Sequence, residues 1–444
     1  MLEAIANVLR IADLRSRIFF TLAMLAVYRL GIFIPAPGVD RVALGEFFAN
    51  TQGTLLGLYD MFSGGALEQF SVFVLGIMPY ISASIIMQLL KVVMPQIERL
   101  SKEGQQGQNK ITQYTRYMTI GIAIVQSFAI SISLEQMKTV GGTDIVIESG
   151  WAFRFMTVVT MTGGACFVMW LGEQITDRGI GNGASLLITA GIIAMLPSAI
   201  MNTIQKVNIG EINLVQLVLL SAFMFGVMAA IVFIERGQRR VPIQYAKRVV
   251  GRRVYGGQST HLPMKVNVAG VIPPIFASSL MMFPATLGTF YAHPVFDAIG
   301  DAFLPGTWTY NLLYVILIVG FTYFYAAVTF NPVDVADNLR KQGGYVPGIR
   351  PGQQTADFLD RILNRLTAGG ASYLAAVCIL PTVLIQNYGV PFYFGGTGLL
   401  IVVAVSLDTV SQIEGHLLTR HYDGLMGTKT TRVRGRRSRL TPAT

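Results

Sequence analysis

Ten apolar stretches constrain this chain more than any other feature. They lie near 18–36, 71–93, 117–136, 153–173, 184–203, 213–234, 268–290, 310–330, 369–387 and 397–415. About 20 mostly apolar residues suffice for a helix to cross the hydrocarbon core of a bilayer. The stretch at 184–203 is the weakest, because Gly191 and Pro197 interrupt it. Only 13% of the 444 residues are charged, about half of the roughly 25% of an average soluble domain. The two cysteines, Cys166 and Cys378, lie inside apolar runs and exclude a disulfide scaffold. The aliphatic and aromatic content excludes disorder. The first run is too long, and too deep behind Arg10, Arg15 and Arg17, for a cleavable signal peptide, and reads as a retained helix.

Basic residues fix the direction. With the N-terminus inside, 29 of the 34 Lys and Arg fall in inner segments. The outer ones hold Arg41, Lys138, Arg154 and Lys206, while Arg29 sits toward the outer end of its own helix. That asymmetry places both termini in the cytoplasm. The expected organisation is a cytoplasmic segment at 1–17, a half with spans one to five at 18–203, a half with spans six to ten at 204–415, and a basic tail at 416–444. Attraction to anionic lipid head groups is the cheapest explanation of that tail.

Two passages echo one another, GIMPYISASIIM at 76–87 and GVIPPIFASSLM at 270–281. They open the second and seventh spans, and an odd number of helices per repeat implies two inverted five-helix halves. Pro79 and Pro273–Pro274 are expected to distort their helices. Ser82, Ser84, Ser278 and Ser279 could hydrogen-bond across a helix contact.

The spans lack mid-membrane Asp, Glu, Lys, Arg and His. A solute carrier coupled to ions usually buries such groups, and a membrane enzyme needs a catalytic cluster at one depth. Neither pattern is present, and the sequence carries no metal spacing and no phosphate loop. GIGNG at 179–183 reads as a tight turn. An uncharged path could instead gate through an apolar constriction. The outer segment at 57–70 is too polar and glycine-broken to span. Phe62, Ala66 and Phe70 recur there at i, i+4 and i+8, one face of a short helix. It either lines a protein cavity or lies on the outer leaflet.

The longest inner segments are 235–267 and 331–368. The first is strongly basic, and Val241 to Tyr255 alternates in part, a weak hairpin pattern with Gly251 at the turn. Its Arg-rich projections suit ribosomal RNA phosphate or an acidic protein surface. In VPGIRPG at 346–352, two prolines and two glycines fix a turn that presents Arg350 outward.

Together these residues resemble the SecY family of protein-conducting channels, in its bacterial form, from about residue 10 to residue 425. GIMPYISASII, GIGNG, RRVPIQYAKR, GVIPPIFASS, NPVDVADNLRKQGGYVPGIRPG and GGTGLLIVV occur in the family's order. The resemblance implies an all-α integral membrane protein of the inner membrane, with ten transmembrane helices in two inverted halves around a central pore. It implies a pore ring at Ile81, Ile85, Ile188, Ile192, Ile275 and Ile401. Ile272 and Leu400 remain alternatives at spans seven and ten. Tyr59, Asp60, Met61, Phe62, Ser63, Gly64, Gly65, Ala66 and Leu67 correspond to a plug that stoppers the outer funnel. Spans two and seven correspond to a lateral gate, with Ser82, Ser84, Met87, Gln88, Ala277, Ser278 and Ser279. Arg239, Arg240, Lys247, Arg248 and Arg350 correspond to docking positions for a motor or ribosome. The partners implied are SecE-like and SecG-like small membrane subunits, a SecA-type ATPase, the ribosome and preprotein signal sequences. No cofactor, metal or covalent chemistry is implied.

Overall fold

The computed structural model describes residues 11–40, 43–45, 63–136, 144–210, 213–245, 248–250, 253–255, 259–290, 307–388 and 397–426, the side chains of 248–259, 282–290, 381–388 and 418–426 excepted. Every apolar stretch overlaps a helix. The first half holds α1 (Ala12–Ile32), α2 (Met78–Val93), α3 (Pro95–Lys102), α4 (Gln105–Gln136), α5 (Trp151–Arg178), α6 (Gly183–Ala194) and α7 (Leu196–Ile209). The second half holds α8 (Leu214–Arg236), α9 (Ile272–Phe290), α10 (Trp308–Thr329), α11 (Pro332–Lys341), α12 (Gln353–Tyr388) and α13 (Thr397–Met426). By length and composition seven spans qualify as membrane-crossing among the described residues. An eighth counts if α2 and α3, bent by 100° at Met94, are one span. The expected weak span breaks at Met195, where Pro197 enters the first turn of α7, yet α6 and α7 still qualify together.

The second apolar stretch differs from expectation. It begins at residue 71, but α2 begins only at Met78, and residues 72–77 run as successive turns. Non-helical backbone at membrane depth must find partners within the protein. Here the segment after α1 supplies them. Ala36 N–H donates to the Phe70 carbonyl at 2.8 Å, and Val72 N–H donates to the Ile34 carbonyl at 3.0 Å. The Ser71 hydroxyl accepts from Phe73 N–H at 3.1 Å. The prolines also act differently from expectation. Pro79 lies in the first turn of α2 and Pro273 at the start of α9, where a missing N–H costs nothing.

The halves meet along two main seams, α2 and α4 against α9, and α6 against α13. Charges near helix ends are paired. Arg116 grips Glu173 with two hydrogen bonds of 2.8 Å, tying α4 to α5. Glu135 accepts from Arg154 at 2.6 and 2.9 Å and from Gly150 N–H at 3.0 Å, closing the other end of the same pair.

The basic inner segment folds as a hairpin larger than the sequence pattern suggests. β1 (Gln238–Tyr245) pairs antiparallel with β4 (Ser259–Lys265), and β2 (Arg248–Val250) with β3 (Arg253–Tyr255). Gln244 faces Ser259 and Arg248 faces Tyr255, so the register passes from one ladder to the next without a slip. A third strand, β5 (Gly344–Tyr345), pairs with Gln244 and Tyr245 and joins the two inner segments in one sheet. Beneath it, Val241, Met264, Val346, Leu359 and Leu363 form a small apolar core.

Close backbone approach explains two glycines. A Cβ on Gly164 of α5 would lie 2.0 Å from the Val72 carbonyl oxygen, and one on Gly183 would lie 1.9 Å from the Gly172 oxygen. Gly164→Ala is therefore expected to cost roughly 1–3 kcal/mol and to lower the thermal unfolding midpoint in detergent. An unchanged midpoint would show that the turn segment does not pack there.

Candidate functional site

The two repeated passages build the same local device twice. Gly76 and Gly270 take positive φ, +53° and +63°, which glycine adopts without a Cβ penalty. Two residues later a helix begins, with a proline in its first turn. Ile81 and Ile275 then occupy matching positions one turn further on. On the remaining seam, Asn182 caps α6 by accepting from Ser185 N–H at 3.2 Å. Ile188 and Ile192 follow at i, i+4 spacing on one face, and Ile401 enters from the first turns of α13.

These side chains converge. Ile77, Ile188, Ile192, Ile275 and Ile401 belong to one buried apolar cluster, with Ile81 packed against it half-buried. Four helices, α2, α6, α9 and α13, contribute through the ring positions, and Ile77 enters from just ahead of α2. Ile85 is buried but lies outside the cluster. Ile77, one turn before Ile81, also belongs to that cluster. The clue was present in GIMPYI, where 77 and 81 share the same i, i+4 spacing as 81 and 85. The alternatives separate as well: Leu400 packs in a different cluster with Ala277 and Met281.

Tyr59, Asp60, Met61 and Phe62 lie outside the described residues. Ser63 has helical backbone. The helical face expected through Phe62, Ala66 and Phe70 does not continue, because Gly64 and Gly65 take φ +74° and +86° and turn the chain. Ala66 joins the isoleucine cluster, while Leu67 and Phe70 pack in a neighbouring one. A Cβ on Gly64 would sit 2.8 Å from the Gly191 Cα, so the segment touches α6 immediately before Ile192. Two side chains of α1 hold its carbonyls: Tyr28 Oη donates to Ser63 at 3.2 Å, and Arg29 Nη1 donates to Gly64 at 2.6 Å.

Of the expected gate positions on α2 and α9, Met87 and Ala277 are buried, and Ser82, Ser84, Gln88, Ser278 and Ser279 are half-buried. The serines do not bond across the contact among the described residues. Ser278 donates to the Ile275 carbonyl of its own helix at 2.9 Å, and the buried Ser279 hydroxyl has no partner. On the inner side, Arg239 and Arg240 stand exposed on β1. Arg350 is exposed on its turn, its carbonyl accepting from Thr355 Oγ1 at 2.8 Å. Lys247 is not among the described residues, and Arg248 is placed by its backbone in β2. On α3, Lys102 donates to Glu98 at 2.7 Å and holds that carboxyl below its usual range.

Gly64→Val would place side-chain atoms where Gly191 stands and would strain a left-handed position. It is expected to displace the segment and raise ion conductance of the resting protein in planar bilayers. Unaltered conductance would mean that this contact seals nothing.

The SecY family model matches residues 71–410. The protein translocase subunit SecY of Pseudomonas aeruginosa is 48% identical over 420 residues, covering 94% of each chain. A solved SecY structure, described as one in which the plug domain stabilises the closed state and maintains a membrane seal, superposes with TM-score 0.64 at 16% identity. It covers 93% of this chain and 95% of its own. Sec61 of the canine ribosome–channel complex superposes with TM-score 0.61 at 15% identity, over 93% and 95% of the two chains.

Proposed function

The chain belongs to the SecY family, and from that premise we propose how its residues divide the work of a protein-conducting channel of the inner membrane. The observation that carries the proposal is the isoleucine cluster closed over by Ala66. It is apolar, drawn from both halves and set at the seams where those halves can part.

In this proposal Ile77, Ile81, Ile188, Ile192, Ile275 and Ile401 form the ring that seals around a moving chain. Ile85 lines the path one turn further along α2. Tyr59 to Leu67 act as the plug, which closes the outer side while no chain is present. A signal helix binds between α2 and α9 and favours the open state because it binds that state more tightly. Ser82, Ser84, Met87, Gln88, Ala277, Ser278 and Ser279 line that gate. The unpaired Ser279 hydroxyl supports this, since a buried polar group without a partner weakens a closed contact. The energy source is a bound ATPase of the SecA type or an attached ribosome. Either docks on the inner surface formed by Arg239 and Arg240 of β1, the neighbouring Lys247 and Arg248, and Arg350 on its turn. Exposed guanidinium groups fit phosphate or carboxylate partners. SecE-like and SecG-like small subunits accompany the chain in the membrane. A solute-transporter reading would require a polar midplane site, and the cluster holds no charged side chain.

Arg350→Glu is expected to abolish motor-driven translocation while leaving membrane insertion of the variant intact. Normal transport would remove Arg350 from the docking surface. A cysteine at Ile77 should crosslink to a stalled translocating chain more readily than one at Ile85. The reverse order would restore Ile85 to the ring.

A further inference from the structure

We propose that Arg29 is a positioning residue that latches the plug shut through its backbone, a role that rests on the plug reading of 59–67. The guanidinium is half-buried near the end of α1, and its Nη1 donates to the Gly64 carbonyl at 2.6 Å. The group also lies 5.5 Å from the centroid of the Phe33 ring, which fixes its orientation. Beside it, Tyr28 Oη donates to the carbonyl of Ser63. Two adjacent residues of α1 thus hold two adjacent carbonyls where the plug backbone turns out of its helix.

The strength of this arrangement decides its use. A charged donor makes a hydrogen bond about twice as strong as a neutral pair. Among the described residues Arg29 bonds no carboxylate, unlike Arg116 and Arg154, whose carboxylate pairs tie permanent helix contacts. A cation on a carbonyl lies between those cases, firm enough to bias closure and weak enough to release repeatedly. The target is well chosen sterically. Gly64 abuts Gly191, so holding its carbonyl holds the plug against the residue next to Ile192. A side chain as partner could swing away on its own, whereas a backbone carbonyl moves only with the plug.

The test is resting conductance of the channel, reconstituted with its membrane subunits in planar bilayers, for four forms. These are the parent, Arg29→Gln, a deletion of Met61–Leu67, and the two changes combined. Arg29→Gln should raise the open fraction roughly tenfold or more, as expected for losing a hydrogen bond to a charged group. The combined form should leak no more than the deletion alone. Arg29→Lys, which keeps the charge with a shorter reach, should leak less than Arg29→Gln, and it carries the test if Arg29→Gln fails to insert. A silent deletion would overturn the plug reading itself. A leaking deletion with a silent Arg29→Gln would overturn only the latch, as would leaks that multiply in the combined form.

Discussion

Helices inside a bilayer gain little from the hydrophobic effect against one another, because lipid tails are as apolar as their side chains. A channel escapes that rule at one place, where opening would expose its interior to water. In the proposed channel the cluster of Ile77, Ile81, Ile188, Ile192, Ile275 and Ile401 is such a place. Parting the seams α2–α9 and α6–α13 would wet side chains whose burial is worth about 1.5–3 kcal/mol each. In the proposed channel that cost keeps the resting path dry, and the hold of Tyr28 and Arg29 on the Ser63 and Gly64 carbonyls adds to it. A translocating chain offsets it by filling the gap with its own side chains. The same hydrocarbon wall that refuses ions therefore accepts a polypeptide of almost any sequence.

The rest of the first half is arranged to bring Ala66 and the start of α2 to this cluster. Between Gly64 and Ile77 the backbone is not helical, so its polar groups depend on neighbours. Ile34 and Ala36, just beyond α1, take up Val72 and Phe70, while Tyr28 and Arg29 hold Ser63 and Gly64. Gly164 lets α5 press directly on the Val72 carbonyl. The irregular stretch is thus clamped at one end by α1 and along its length by α5. At Ser63 and Gly64 the carbonyls accept from the side chains of Tyr28 and Arg29.

Much of this was legible in the amino-acid sequence, for identifiable reasons. Membrane helices announce themselves by length and composition, so each of the ten apolar runs overlaps a helix, although only seven or eight spans qualify as membrane-crossing among the described residues. The echo between 76–87 and 270–281 correctly singled out one structural device used twice, and it paired Ile81 with Ile275. What failed was finer. Prolines at 79 and 273 looked like kinks because helix starts inside an apolar run carry no polar boundary. The face through Phe62, Ala66 and Phe70 ignored Gly64 and Gly65, whose positive φ ends the helix. That Ile77 shares the cluster could not be read from spacing, since Ile77 and Ile85 both lie one turn from Ile81. The hold of Arg29 on Gly64 was invisible because a backbone carbonyl leaves no mark in the residue pattern. The inner sheet was only half visible: alternation marked the hairpin, but β5 lies about a hundred residues away in sequence.

The central claim is that the apolar cluster surrounds the polypeptide in transit. The direct measurement is crosslinking of single cysteines at Ile81 and Ile275 to a stalled chain carrying one cysteine at varied positions. Both sites should capture the same narrow window of the chain, because the two isoleucines share one cluster. Capture of windows far apart, or labelling of both sites only by lipid-phase reagents, would contradict it.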